Sequence, residues 1–535
     1  MSVLASPLGP MGLLLGGGVL LLAIQGYLSP RWRQWLPLAV VLVAMTAWLG
    51  LRWQPAGMGR WWLWRAPLGL ETALGLQWDG WSWLAGWLAF MAGVSALVLP
   101  GWPTRPGFLP SRFWIPWLLA AVLLVMTSAT WTTLLAGWVL LLFFTGILAG
   151  TPAEAAPRAW TLLLLSGLLL LLAPLFNGLG TLDLLLSASP LNLQAQLLLS
   201  LAGVIIAGVY PFHVWLVSRS RRGSGPRLAL HLVPALAAIH LLSRFQLPLL
   251  SSFSWIALGI AGLLGSAITA WATDDEDRIR VYVALNRVAW VMLAFALSRE
   301  QGAYRGIFPL VSLAIGLMVW ELSSIWDSRA RTSMALFFLM GFPLTPGFPL
   351  TRNLAQLAAT TLGFPGWLLI LLAQTLFVAA VLRPSTSEAS FEKQVSPPLA
   401  RAIAFALMFV IAFGAWWGIN PARLLRTAGL APEGMVMNVF VQIRVSGVIA
   451  GWLTLLLPLL LGWLLARWRD RIFTGQENWL TRIASVADLD WLARLLQAGF
   501  HYLALALGYA SDILDGAGQF GWALLLLLIL WLFFR

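Results

Sequence analysis

Apolar runs of membrane-spanning character recur along the whole chain, for example Met11–Ile24, Phe113–Met126, Thr161–Leu172 and Trp522–Phe534. A helix needs about 20 largely apolar residues to cross a bilayer, and about sixteen stretches approach that pattern. Composition points the same way. The 535 residues are 60% hydrophobic and only 10% charged, where a soluble domain carries about 25% charged residues. The sequence therefore reads as an all-α polytopic membrane protein with about 14–16 transmembrane helices.

The formal charge is +13, yet the basic residues stand singly or in short clusters between apolar runs, as a positive-inside bias arranges them. They do not form a nucleic-acid footprint, so no nucleic-acid partner is expected. Lys393 is the only lysine, and there is no cysteine, which excludes disulfides, thiolate metal sites and iron–sulfur ligation. The histidines (His213, His231, His240 and His501) lack metal-ligand spacing, so no metal or cofactor is expected. The first apolar run lacks a basic leader and reads as a retained helix. Tryptophans 61, 62 and 64, ahead of a helix, suit an interfacial belt.

Coarse helices fall near 11–29, 34–53, 81–99, 112–127, 129–149, 158–175, 194–217 and 226–245. They continue near 252–272, 281–298, 305–327, 332–353, 355–383, 399–419 and 440–467, with a last one near 517–534. Two segments break the pattern alike. One holds Tyr210-Pro211-Phe212-His213, the other Gly341-Phe342-Pro343-Leu344-Thr345-Pro346-Gly347. A proline inside a spanning helix frees a carbonyl, tolerated where protein or a cavity satisfies it again. Broken helices in corresponding halves mark transporters built from inverted repeats; the plainer reading is two ordinary kinks. Arg383–Arg401 reads as an exposed polar loop. Residues 467–496 read either as an amphipathic helix lying in the interface or as a helix packed on its own protein.

Several segments together resemble the antiporter-like membrane subunits of respiratory complex I, a family shared with Mrp-type cation/proton antiporters. Gln77-Trp78-Asp79-Gly80-Trp81-Ser82 is similar to the family's Leu-Asp-Gly-Leu-Ser start of its third helix. Tyr210-Pro211-Phe212-His213-Val214-Trp215-Leu216 resembles its Phe-Pro-Phe-His-x-Trp-Leu motif, the most specific match. Further resemblances follow in family order at His240–Arg244, Asp275–Tyr282 with Asn286, Arg287 and Trp290, Gly341–Phe348, and Asp512–Trp522.

The resemblance implies fourteen core helices containing two inverted five-helix repeats, at about 112–245 and 252–383. Residues 1–111 and 384–535 would flank them. It also implies a midplane chain of ionisable groups, other membrane subunits as partners, and an energy-converting membrane such as the bacterial inner membrane. The family's key positions are replaced, however. Its glutamate falls on Val139, after Gly137-Trp138, and its lysines fall on Ile206, Leu236 and Thr351, the last beside Arg352. Arginine keeps a charge without titrating.

The ionisable groups that remain are the candidates for an ion pathway. His213, His231 and His240 titrate near neutral pH, or else stand as neutral rings bonded to free carbonyls. Glu321 is an intramembrane acid and so a functional hypothesis, or sits at the interface. Arg244, Arg287 and Arg352 lie toward helix ends as snorkelling anchors or paired charges. Asp79 suits an N-cap, and Asp274–Arg280 a solvated loop capping the next helix.

Three functions follow. The chain is an ion-translocating subunit of a redox-driven assembly, a non-conducting subunit that docks partner proteins, or the ion-coupled membrane subunit of an inorganic-carbon uptake complex. A soluble redox or carbon-uptake partner would then supply the chemistry, because no nucleophile, phosphate loop or cofactor motif is present in the chain.

Overall fold

The computed structural model describes residues 6–54, 56–65, 71–102, 111–149, 156–177, 191–217, 223–245, 253–298, 303–325, 328–383, 396–430, 449–472 and 477–489, with scattered residues beyond. Its helices are α1 (Leu8–Ile24), α2 (Pro30–Gly50), α3 (Gly80–Val98), α4 (Ile115–Thr127), α5 (Trp131–Ala149) and α6 (Ala156–Asn177). Then come α7 (Leu193–Ala207), α8 (Val214–Val217), α9 (Ser224–Arg244), α10 (Phe253–Ala272), α11 (Glu276–Leu297) and α12 (Ala303–Leu322). The rest are α13 (Ser328–Leu339), α14 (Gly347–Thr361), α15 (Gly363–Val381), α16 (Pro397–Ile419), α17 (Pro421–Thr427), α18 (Ile449–Ile472) and α19 (Glu477–Ala487).

Eleven helices are long and apolar enough to span a membrane, and three shorter apolar helices accompany them among the described residues. The chain is a multi-pass integral membrane protein. Burial ranks the helices. All of the most apolar window of α9 is buried, and 89% of those of α3 and α11. These three are surrounded by protein, so α9 and α11 can carry polar side chains such as His240 and Asn286 without exposing them to lipid. In α18 only 22% is buried, and α6 turns Leu164, Leu168, Leu171 and Leu175 outward, a helical stripe suited to lipid or to another subunit. With 21 residues, α9 rises about 30 Å, one hydrocarbon thickness.

One region departs from the all-helical expectation. The tryptophans read as a belt lie on strand β1 (Gly57–Arg65), paired antiparallel with β2 (Glu71–Trp78). Nine and eight residues are too few to span as helices, and their Trp and Thr favour a pleated strand. The hairpin is pinned to the α4–α5 turn. Ala129 N donates to Gly75 O at 2.8 Å, and Gly75 N to the Thr133 hydroxyl at 2.9 Å.

Both breaks are present, and they close by the same turn. After α7, Gly208 N donates to Ile205 O and Val209 N to Val204 O; after α13, Gly341 N donates to Phe338 O and Phe342 N to Phe337 O. The two glycines are left-handed, at φ +69° and +70°. This is the glycine-closed turn that satisfies a helix's last carbonyls. Their surroundings differ. A Cβ on Gly208 would meet the movable Leu216 side chain, whereas one on Gly341 would lie 2.6 Å from the backbone oxygen of Gly347. Gly341→Ala is therefore expected to destabilise more than Gly208→Ala, which alone costs about 1–2 kcal/mol for the left-handed backbone. Detergent-titrated unfolding of both variants checks the order.

Residues 488–535 form a separate unit in which the described residues between Trp491 and Ser511 are helical and exposed. The 512–522 motif and most of the last expected helix lie outside the described residues, as do residues 384–395 of the expected polar loop. The 467–496 segment divides: its start continues α18 to Ile472, and α19 follows. α19 packs on α10, and Ala487 O accepts from the Tyr210 hydroxyl at 2.9 Å.

Candidate functional site: a polar row on α11 between the two breaks

Helix α11 carries the buried polar groups that join the breaks. At the first break His213 is fully buried, stacked on Tyr210 with ring centroids 4.9 Å apart. Its Nε2 lies 3.3 Å from the Tyr282 hydroxyl of α11. One helical turn on, Asn286 donates from Nδ2 to Leu263 O at 3.0 Å and to the Ser266 hydroxyl at 3.2 Å, both on α10. Next to it Arg287 donates to Leu339 O at 2.8 Å, to Gln374 Oε1 of α15 at 2.8 Å, and to Asn286 Oδ1. Leu339 O is a carbonyl freed by the second break, where the negative end of α13's dipole favours a cation. The neighbouring Met340 O takes the Thr351 hydroxyl at 3.1 Å. At the first break Ile205 O takes the Trp215 indole N–H at 2.8 Å.

Arg287 is thus not near a helix end. It is the twelfth residue of a 22-residue helix and is buried. Pattern reading places an arginine at a terminus because snorkelling is the cheaper arrangement; here neutral oxygens and the faces of Phe377 (3.8 Å) and Trp290 (5.5 Å) hold it inside.

Glu321 belongs to a different cluster, at the ends of three helices. Arg227 in the first turn of α9 donates to both carboxylate oxygens of Glu321, at 2.8 and 3.1 Å, and to Asp277 of α11 at 2.8 Å. Arg280 lies 3.9 Å from its second oxygen and pairs with Glu276. Both central side chains are about 5% exposed. An arginine at a helix N-terminus and a glutamate at a C-terminus each oppose their helix dipole, so the pairing alone explains them. Sequence reading missed Arg227 and Arg280, since partners 94 and 41 residues away leave no local signal. His231 lies one turn along α9 from Arg227, buried.

The remaining candidates are dispersed. His240 is fully buried against Trp81, with neither ring nitrogen hydrogen-bonded. The alternative that the histidines bind free carbonyls through their rings thus fails at His240, and His213 meets a tyrosine hydroxyl. Arg244 closes the far end of α9, donating to Met126 O (3.1 Å), Ser128 O (2.8 Å) and Gln77 Oε1 (3.0 Å). Arg352 lines a cleft between α14 and α18 with Phe348, Trp452 and Leu455. Pro211 follows a cis peptide bond, Pro343 sits in the second break and Pro346 caps α14. Of the replaced positions, Ile206, Leu236 and Thr351 are buried, but Val139 faces outward. Asp79 caps α3, accepting from Ser82 N at 2.7 Å while its own N–H donates to the Ser82 hydroxyl.

A second clamp lies in the turn between α10 and α11. Asp274 is bound by Arg383 and, at 3.1 Å, by Arg469, and both arginines also donate to the carbonyls ending α10. Partial burial would raise the Asp274 carboxyl, but the Arg383 hydrogen bond and the two positive charges outweigh it and hold the pKa below the usual value. A depressed carboxylate stabilises the fold above its unfolded pKa, and that contribution is lost as pH falls through the folded value. Stability is expected to drop below about pH 4, and Asp274→Asn to flatten this part of the profile. Thermal midpoints between pH 3 and 6 check it.

No family model and no curated protein matches the sequence. Solved structures do. A chain of the Mrp complex from Dietzia sp. DQ12-45-1b matches with a TM-score of 0.75 at 16% identity, over 97% of this chain and 61% of that one. A chain of the membrane-bound sulfane sulfur reductase, an archaeal respiratory membrane complex, matches at 0.70 and 14%, over 98% and 100%. A chain of respiratory complex I from Thermus thermophilus matches at 0.59 and 17%, over 77% and 98%. The protein shares the fold of these chains, and it spans 61% of the length of the Mrp chain.

Proposed function

We propose that the chain is a divergent antiporter-like membrane subunit of a larger complex I-related or Mrp-like assembly, and that its part in proton or cation translocation ends at the second break. The row on α11 carries this reading. Its first end places His213 and Tyr282 3.3 Å apart, side chains of types that can take up and release a proton; its second holds Arg287, which keeps its proton. A guanidinium does not release its proton and so cannot pass one on. Stepwise transfer therefore stops short of α15. The matching glycine turns support two inverted repeats, 112–245 and 252–383, sharing one plan.

A specific observation favours the non-conducting, docking variant as the second reading. Glu321 is locked between Arg227 and Arg280, so the strongest acid candidate serves as a helix clamp.

Affinity purification of the tagged chain from its native membrane tests the assembly. Further membrane subunits should co-purify, and a lone chain would count against it. In proteoliposomes with an imposed pH gradient, the isolated chain should pass protons no faster than protein-free liposomes. A protein-dependent flux would refute the closure at Arg287.

A further inference from the structure

Arg287 is a buried cation with no carboxylate in ion-pair reach among the described residues. Its three acceptors, Leu339 O, Asn286 Oδ1 and Gln374 Oε1, are all neutral. Two donors are left over. Arg287 Nε and Gln374 Nε2 are both buried without a hydrogen-bond partner, and they belong to side chains already joined by the Nη2–Oε1 bond. Orphaned buried donors are rare in native proteins, and two on neighbouring groups beside an uncompensated charge ask for one acceptor that is also negative. The aromatic faces of Phe377 and Trp290 recover only part of the cost of burying the charge.

We propose that the second break binds a small monovalent inorganic anion of chloride size, held by Arg287 Nε and Gln374 Nε2. Small size follows from the lining, since Leu339, Phe377 and Trp290 are all packed inside. Single charge follows from the single cation. A neutral water would occupy the donors but leave the charge uncompensated. The site stands whether or not the chain belongs to the proposed assembly.

The test is thermal unfolding of the full-length chain in detergent, with chloride exchanged for gluconate at constant ionic strength. The midpoint should rise saturably with chloride, as for any ligand that binds only the folded state. Gln374→Leu, which keeps the charge but removes one donor, should raise the apparent Kd about tenfold, and Arg287→Gln should abolish the response. A wild-type midpoint indifferent to chloride, or an unchanged response in Gln374→Leu, would overturn the proposal. If both variants fail to fold, bromide-exchanged wild-type crystals decide. An anomalous peak beside Arg287 Nε supports the site, and ordered water alone overturns it.

Discussion

Arg227→Met is expected to destabilise the folded chain by about 3–5 kcal/mol, the usual cost of leaving a buried charge without its partner. The substitution strips the bidentate guanidinium from Glu321, leaving Arg280 at 3.9 Å as the nearest cation. Ionised, Glu321 would then sit in a protein interior with little to hold it; protonated, it would lose its hydrogen bonds. The second variant of the cycle separates worth from cost. Arg227→Met combined with Glu321→Leu removes both charges, and apolar replacement of a buried pair is often neutral. The double variant should therefore recover most of the loss, leaving the partly exposed Asp277 with a weaker partner. Detergent-titrated unfolding of the two singles and the double gives the coupling energy directly. If the double is as unstable as the single, packing rather than charge pairing holds these three helix ends.

Arg287→Leu is expected to cost about 2–4 kcal/mol, less than the loss of Arg227 because the groups left behind are neutral. Leu339 O, Asn286 Oδ1 and Gln374 Oε1 lose their shared donor, and each buried orphan costs about 1–3 kcal/mol. Removing an uncompensated cation offsets part of that sum. Arg287→Lys sharpens the test. An ammonium keeps the charge but lacks the planar fork that reaches three acceptors at once, so it should rescue only part of the loss. A fully stable lysine variant would mean that charge, not the fork, secures the second break.

The helices were legible because a bilayer-spanning helix needs a long apolar run, and such runs are local. The two breaks were equally legible, since proline and left-handed glycine act within a few residues. Arg383–Arg401 is legible at its start only: α15 ends at Val381, but α16 begins at Pro397, so the last five residues of the expected loop are helical. The hairpin was not legible. Its strands are short, and the tryptophan cluster of the first is a pattern that a membrane-interface helix shares.

Single polar residues were legible, but their grouping was not, and Gln374 was missed altogether. His213, Arg287 and Glu321 each stand out as polar residues in apolar surroundings. Nothing within a few positions says that Arg287 meets Gln374, 87 residues on, or that Glu321 meets Arg227, 94 residues back. Pairing across helices is a property of the packed bundle, and a single sequence does not carry it. For the same reason the resemblance treats its four replaced positions alike, while only the fold separates the outward Val139 from the three that are buried.

The most direct measurement is a cryo-EM map of the chain purified from its native membrane with whatever stays bound, at a resolution that shows ordered water. The account expects partner subunits against the bundle and a water line that reaches His213 and Tyr282 but stops before Arg287. A solitary chain, or an unbroken file of water running past Arg287 to α15, would contradict it.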